Sequence, residues 1–215
     1  MRKYVLALDS THDACSAAVV SLEGETVAAV VREMERGQAE ALIPVVCEVM
    51  KSANAGFGDL AYIAVTVGPG SFTGVRVGLA AARGLALAAG LPMVGVSVCD
   101  AAAFDFYKKF PEEKRTLCVV LETKRDDFYV RFFKDGLPVS EPAVASGEDL
   151  VKAENTVFTG NGLSRLTEEY GAVPDGNIPM PDAQSAAKLS LSKTPSMQYP
   201  APLYLREAEV SSCPK

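Results

Sequence analysis

The sequence predicts an α/β protein of two lobes, residues 1–102 and 103–215, the second a reduced echo of the first. Three observations carry that expectation. Leu60–Val98 reads as strand, glycine loop, helix, sharp stop and strand, a βαβ unit. A meander of three short apolar runs opens the chain. The same order of elements, βββ-α-β-α, recurs more weakly after residue 102.

Each element has its own signal. Val5–Leu8, Cys15–Val20 and Thr26–Glu33 are strand-length runs separated by Asp9-Ser10-Thr11 and Glu23-Gly24. From Gln38 to Ala53 apolar residues recur at helical spacing, and Pro44 is tolerable near the first turn. Leu60–Val67 is β-branched and stops at Gly68-Pro69-Gly70. Ser71 or Thr73 can cap the helix that follows, Val75–Ala89. Gly90 suits a positive φ after the helix, and Pro92 blocks continuation before the strand Met93–Val98. A short helix, Asp100–Tyr107, leads to strands at Leu117–Leu121 and Phe128–Phe133 and to a third beginning at Leu137. Glu148–Ala153 reads as a brief helix, Thr156–Thr159 as a strand, Leu163–Tyr170 as a helix and Gly171–Pro181 as loop. Asp182 can cap a last helix, Ala183–Leu191, before a proline-punctuated tail ending in Tyr204-Leu205-Arg206.

The whole composition narrows the function. With 48% hydrophobic and 22% charged residues the 215-residue chain is ordinary for a soluble globular protein. A net charge of −6, with only short basic pairs such as Lys108-Lys109 and Lys124-Arg125, argues against nucleic-acid binding by this chain alone. Tyr4–Leu8 is too short for a secretory core, and Gly84–Cys99, the longest uncharged run, is broken by Gly90 and Pro92. No membrane association is therefore expected. Five cysteines without a C-x-x-C pair fit reduced thiols in the cytoplasm.

The central helix is unusual in what it lacks. Between Val75 and Ala89 only Arg76 and Arg83 are charged, seven residues apart and on nearly one face. Such an apolar circumference implies burial on more than one side. Gly74, Gly78, Ala81, Ala82 and Gly84 are small enough for another backbone to approach. Two readings stand: tight docking on this chain's own sheet, or a helix-to-helix interface with another subunit that includes Gly74, Arg76, Gly78, Ala81, Ala82 and Arg83.

Candidate chemistry is sparse. Asp9, Ser10 and Thr11 at a strand end, where a carboxylate is normally solvated, could meet phosphate oxygens or a hydrated Mg²⁺, and Gly160 and Gly162 flank a loop that could admit a nucleoside or phosphate. Gly68–Gly74 could form a backbone nest for an anion, or simply start the helix hard against the sheet; the second reading is favoured. His12 is the only histidine, which excludes a metal site with two imidazoles, and a Cys15–His12 dyad has thin support. No independent catalytic or metal-binding residues are expected.

Ala7–Thr11 with Ala14-Cys15-Ser16, the run Gly68–Gly78 (GPGSFTGVRVG) and Leu91–Ser97 resemble the TsaB (YeaZ) family; Gly160–Gly162 and Tyr204–Arg206 match more weakly. The resemblance implies an actin-like ATPase (ASKHA, ribonuclease H-like) duplicated two-lobe α/β fold. It implies a non-catalytic scaffold and dimerisation subunit of the complex that adds a threonylcarbamoyl group to adenosine 37 of ANN-decoding tRNAs. The implied partners are a TsaD-like catalytic paralogue, a TsaE-like ATPase and, without them, a second copy of the chain, with tRNA met only through the complex. TsaD carries an H-x-x-x-H metal motif, and those positions fall here on Val98 and Ala102. No tightly bound cofactor is implied; ATP and Mg²⁺ are expected only weakly or through partner subunits. The other class of function is an enzyme in its own right, an actin-like kinase or a glycoprotease-type metallopeptidase.

Overall fold

The computed structural model describes residues 3–123 and 125–206; Lys124 and Cys213, which the sequence places on the surface and among the reduced thiols, lie outside the described residues. Among these residues ten strands and six α-helices follow one another as β1 (Tyr4–Asp9), β2 (Ala14–Ser21), β3 (Thr26–Glu33), α1 (Gln38–Ser52), β4 (Leu60–Gly68), α2 (Phe72–Ala89), β5 (Met93–Ser97) and α3 (Val98–Lys109). The second half continues with β6 (Thr116–Glu122), β7 (Asp127–Lys134), β8 (Leu137–Pro138), β9 (Ala143–Ser146), α4 (Gly147–Leu150), β10 (Thr156–Thr159), α5 (Leu163–Tyr170) and α6 (Ala183–Ser190).

The first sheet has the order β3-β2-β1-β4-β5, antiparallel through β1 and parallel from β1 to β5. Because successive residues face opposite sides, Leu6 and Leu8 of β1 join the core under α1 and α2. Val5 and Ala7 join a second core under α6. Both faces are covered, which is why β1 and β4 read as continuous apolar runs rather than alternating ones.

The second sheet repeats the pattern. β6 pairs antiparallel with β7 and parallel with β10, as β1 does with β2 and β4. Leu117, Val119 and Leu121 face α3, while Cys118 and Val120 face α4 and α5. The echo is incomplete, for among the described residues no strand in it corresponds to β5.

Several boundaries moved. α2 starts at Phe72, three residues early, because Ser71 caps it by accepting from the Gly74 N–H, and Gly90 ends it at φ 61°. α3 claims Val98, which the sequence left on the strand. The helix expected at 148–153 is only α4, capped by Ser146. β9 was not foreseen: four residues after Pro142 carry too little pattern, and only its antiparallel register with Asp127–Val130 makes it a strand. Residue 102 falls inside α3, between the last strand of the first sheet and the first of the second, and α6, from the second half, packs on the first sheet.

Beyond α6 the tail runs along the β5 edge. Met93 and Ser196 exchange both backbone hydrogen bonds, and the Leu203 N–H donates to the Val67 carbonyl at 2.7 Å. Pro200 lies over Gly95, where a Cβ would come within 2.8 Å of the proline ring.

Candidate functional site

Asp9 ends β1 and is fully buried, as are Ser10 and Thr11 beside it. The sequence-based expectation of a solvated strand-end carboxylate is therefore corrected. Asp9 Oδ1 accepts from the Thr11 hydroxyl at 2.7 Å, from the Thr11 N–H at 3.2 Å and from the Thr66 hydroxyl of β4. Among the described residues Asp9 Oδ2 has no hydrogen-bond partner, and His12 Nδ1 lies 3.4 Å from it. The Thr11 hydroxyl has one proton and gives it to Asp9. Its 3.3 Å contact with His12 Nδ1 then requires that nitrogen to carry hydrogen. The open carboxylate oxygen thus faces an N–H group.

The glycines of the following loop explain the burial. A Cβ on Gly74 would lie 1.9 Å from the Ser10 carbonyl oxygen, and one on Gly70 2.4 Å from that of Thr11. Gly78 continues the track: a Cβ there would lie 3.0 Å from the Ser10 hydroxyl oxygen. Ser10 Oγ donates to the Gly74 carbonyl at 2.9 Å, and the Ser71 N–H donates to the Thr11 carbonyl at 2.7 Å. The loop cradles the protein's own β1–β2 turn. Of the two readings of Gly68–Gly74, packing holds and the anion nest is occupied by backbone.

This geometry redistributes the residues expected at a subunit interface. Gly74, Gly78 and Ala82 are buried against the first sheet, and Ala81 is half-buried. Arg76 and Arg83 hold the tail: Arg76 Nε donates to the Tyr204 hydroxyl at 2.9 Å, and Arg83 to the Pro200 carbonyl at 2.6 Å. The exposed outer strip of α2 is instead Thr73, Arg76, Ala80, Gly84, Leu87 and Ala88, uncharged apart from Arg76 near its start. Leu87 is 74% exposed, and no atom lies within 4 Å of a Cβ built on Gly84. α2 is long and apolar enough to cross a membrane by length and composition, yet Val75, Leu79 and Ala86 pack it on the sheet.

On the second lobe the same logic disposes of the other glycines. Gly160 has φ 108°, and its Cβ would meet the Val120 carbonyl at 2.3 Å; Gly162 abuts Phe128 and Val120. Between them Asn161, which the sequence reading passed over, accepts from the Glu122 N–H through its side-chain oxygen at 2.9 Å. Burial raises the Glu122 carboxyl above its ordinary value, and the adjacent Arg165 offsets part of that rise. An interlobe cleft of about 380 Å³ is lined by Thr11, His12, Gly70, Glu122, Asn161 and Arg206 among others. Of the expected nucleotide residues, only Thr11 reaches it. Asp9, Ser10, Gly160 and Gly162 are not among its lining residues.

These residues do not fit a nucleotide with Mg²⁺. Of the residues expected to hold it, Asp9 is buried with Oδ1 committed, a cation at its Oδ2 would sit beside an imidazole N–H, and Gly160 and Gly162 abut Val120 and Phe128 instead of leaving a cradle for phosphate. Among the described residues no three His, Cys, Asp or Glu side chains are grouped to hold a metal. Val98 and Ala102 are buried in the α3 core with Phe106. Burial, helped by the Asp9 charge, pushes the Cys15 thiol up to about 11, and Cys99 is pushed up to about 12. A Cys15–His12 nucleophile is therefore excluded by burial and protonation.

Residues 25–201 match the family model described as TsaD, tRNA N6-adenosine threonylcarbamoyltransferase. The chain is 29% identical to the Escherichia coli K12 tRNA threonylcarbamoyladenosine biosynthesis protein TsaB, over 94% of each protein. It is 39% identical to the Sorangium cellulosum tRNA N6-adenosine threonylcarbamoyltransferase, over 43% of this chain and 30% of that one. It superposes on YeaZ from Pseudomonas aeruginosa with TM-score 0.78 at 25% identity, covering 94% and 100%. An Arthrobacter polyphosphate/ATP-glucomannokinase, at 13% identity and TM-score 0.51 over 88% and 98%, shares the fold alone.

Proposed function

The chain belongs to the TsaD family, in its TsaB/YeaZ branch, with the actin-like two-lobed fold, and on that footing we propose that it is a non-catalytic subunit in tRNA threonylcarbamoyladenosine biosynthesis. It scaffolds a TsaD-like paralogue that carries the transfer to adenosine 37, in the cytoplasm, with tRNA held by the complex. The observation that carries this reading is the pair Val98 and Ala102. Where the catalytic paralogue places its metal-binding histidines, this chain buries two apolar side chains in the packing of α3 on the second sheet. A metal bound there would have no donor atoms.

The outer strip of α2 supplies the scaffold surface. Small residues at Ala80 and Gly84 let a second helix approach to about 8 Å, and Leu87 projects beside them. A subunit of the same fold is the proposed occupant, the catalytic paralogue first and a second copy in its absence; a TsaE-like ATPase joins the assembly. Nucleotide is held at most weakly by this chain, because Asp9 is buried and its Oδ1 is already taken by Thr11 and Thr66.

The test is reconstitution. Threonylcarbamoyl transfer to an ANN-decoding tRNA is measured with the catalytic paralogue, with this chain, and with both. The paralogue should need this chain for full activity, and this chain alone should give none. Transfer by this chain alone, supplied with metal and ATP, would overturn the reading.

A further inference from the structure

We infer that the C-terminal segment Leu203–Arg206 is a clasp across the interlobe cleft, and that its release opens the cleft. The clasp has separate anchors on the two lobes. On the first, the Leu203 N–H donates to Val67, and the Tyr204 ring lies 5.1 Å from that of Phe72 at the start of α2. The Arg76 guanidinium sits 3.7 Å over Phe72 while its Nε donates to the Tyr204 hydroxyl. On the second lobe, Arg206 pairs with Asp127, the first residue of β7.

Between the anchors the clasp is itself a wall. A pocket of about 290 Å³ is bounded by Gly70 and Phe72 from one lobe, Tyr129 from the other, and Leu203–Arg206. On the second lobe the clasp is held by the Arg206–Asp127 ion pair, whose side chains are 23% and 24% exposed, a contact that water can compete for. The first-lobe hold passes through Arg76, on the helix that presents the outer strip. Loss of either anchor frees one side of the pocket without touching the core of either sheet.

The chain has no tryptophan, so Tyr129→Trp places a sole indole reporter in the pocket wall. Acrylamide quenching of that indole and hydrogen exchange at the Leu203 amide are measured in the full-length protein. Arg206→Ala, Tyr204→Ala and Arg76→Ala should each raise Leu203 exchange at least tenfold and the quenching constant about twofold. The β4 amides at Ala64 and Val65 should keep their protection. Unchanged Leu203 exchange and quenching in all three variants would overturn the clasp. A parallel loss of protection in β4 would also overturn it, since the variants would then be unfolding the lobe.

Discussion

Ser10 and Gly74 hold each other from both sides: the Ser10 hydroxyl donates to the Gly74 carbonyl at 2.9 Å, while the Ser10 carbonyl fills the space a Gly74 side chain would need. The start of α2 is thereby pressed onto the β1–β2 turn. Gly74→Ala should therefore destabilise by about 3 kcal/mol, at the upper end of what overpacking costs, because the obstructing atom is backbone. Urea unfolding of the purified variant checks it, and a change under 1 kcal/mol would mean that the turn can shift.

Asp9 is part of the same joint. Removing its carboxylate leaves the Thr11 and Thr66 hydroxyls without their acceptor in a buried place. Asp9→Ala should cost about 1–3 kcal/mol in unfolding free energy. A variant as stable as the parent protein would restore the picture of a solvated strand-end carboxylate.

The outer strip of α2 separates docking from folding. Gly84→Arg and Ala80→Glu should give folded protein, judged by circular dichroism, whose sedimentation shows loss of association with itself and with the catalytic paralogue. Gly78→Arg should fail to fold, since the site is buried beside Ser10 and Val65. Unchanged association of folded Gly84→Arg protein would place the interface elsewhere.

Glu113 supplies a pH signature. Hydrogen bonds from the Arg115 side chain, with those from the Arg115 and Lys114 backbone, hold its carboxyl at about 2 rather than 4.5. A folded-state value below the unfolded one adds stability above the unfolded value, lost as pH falls through the folded one. Glu113→Gln should thus be less stable by about 1 kcal/mol at neutral pH, a surface-pair magnitude. The gap should close between pH 5 and 2. Chemical denaturation across that range measures it, and a gap that persists at pH 2 would assign the effect to packing instead.

Local patterning by itself determined most of the elements. Apolar runs stopping at Gly68-Pro69-Gly70, the Ser71 cap and the positive φ of Gly90 are written within a few residues of where they act. The resemblance of GPGSFTGVRVG pointed to the family that residues 25–201 match. Tertiary structure alone decided what the glycines are for. A glycine admits either a ligand or another backbone, and the two look alike until the facing atom is known. Gly74 faces Ser10, Gly160 faces Val120, and these partners stand 64 and 40 residues away, in the β1–β2 turn and in β6, brought alongside only by the folded sheets. The same distance in sequence hid the acceptor role of Asp9 toward Thr66, the seating of Tyr204 on Phe72, and which side of α2 remains open to a partner.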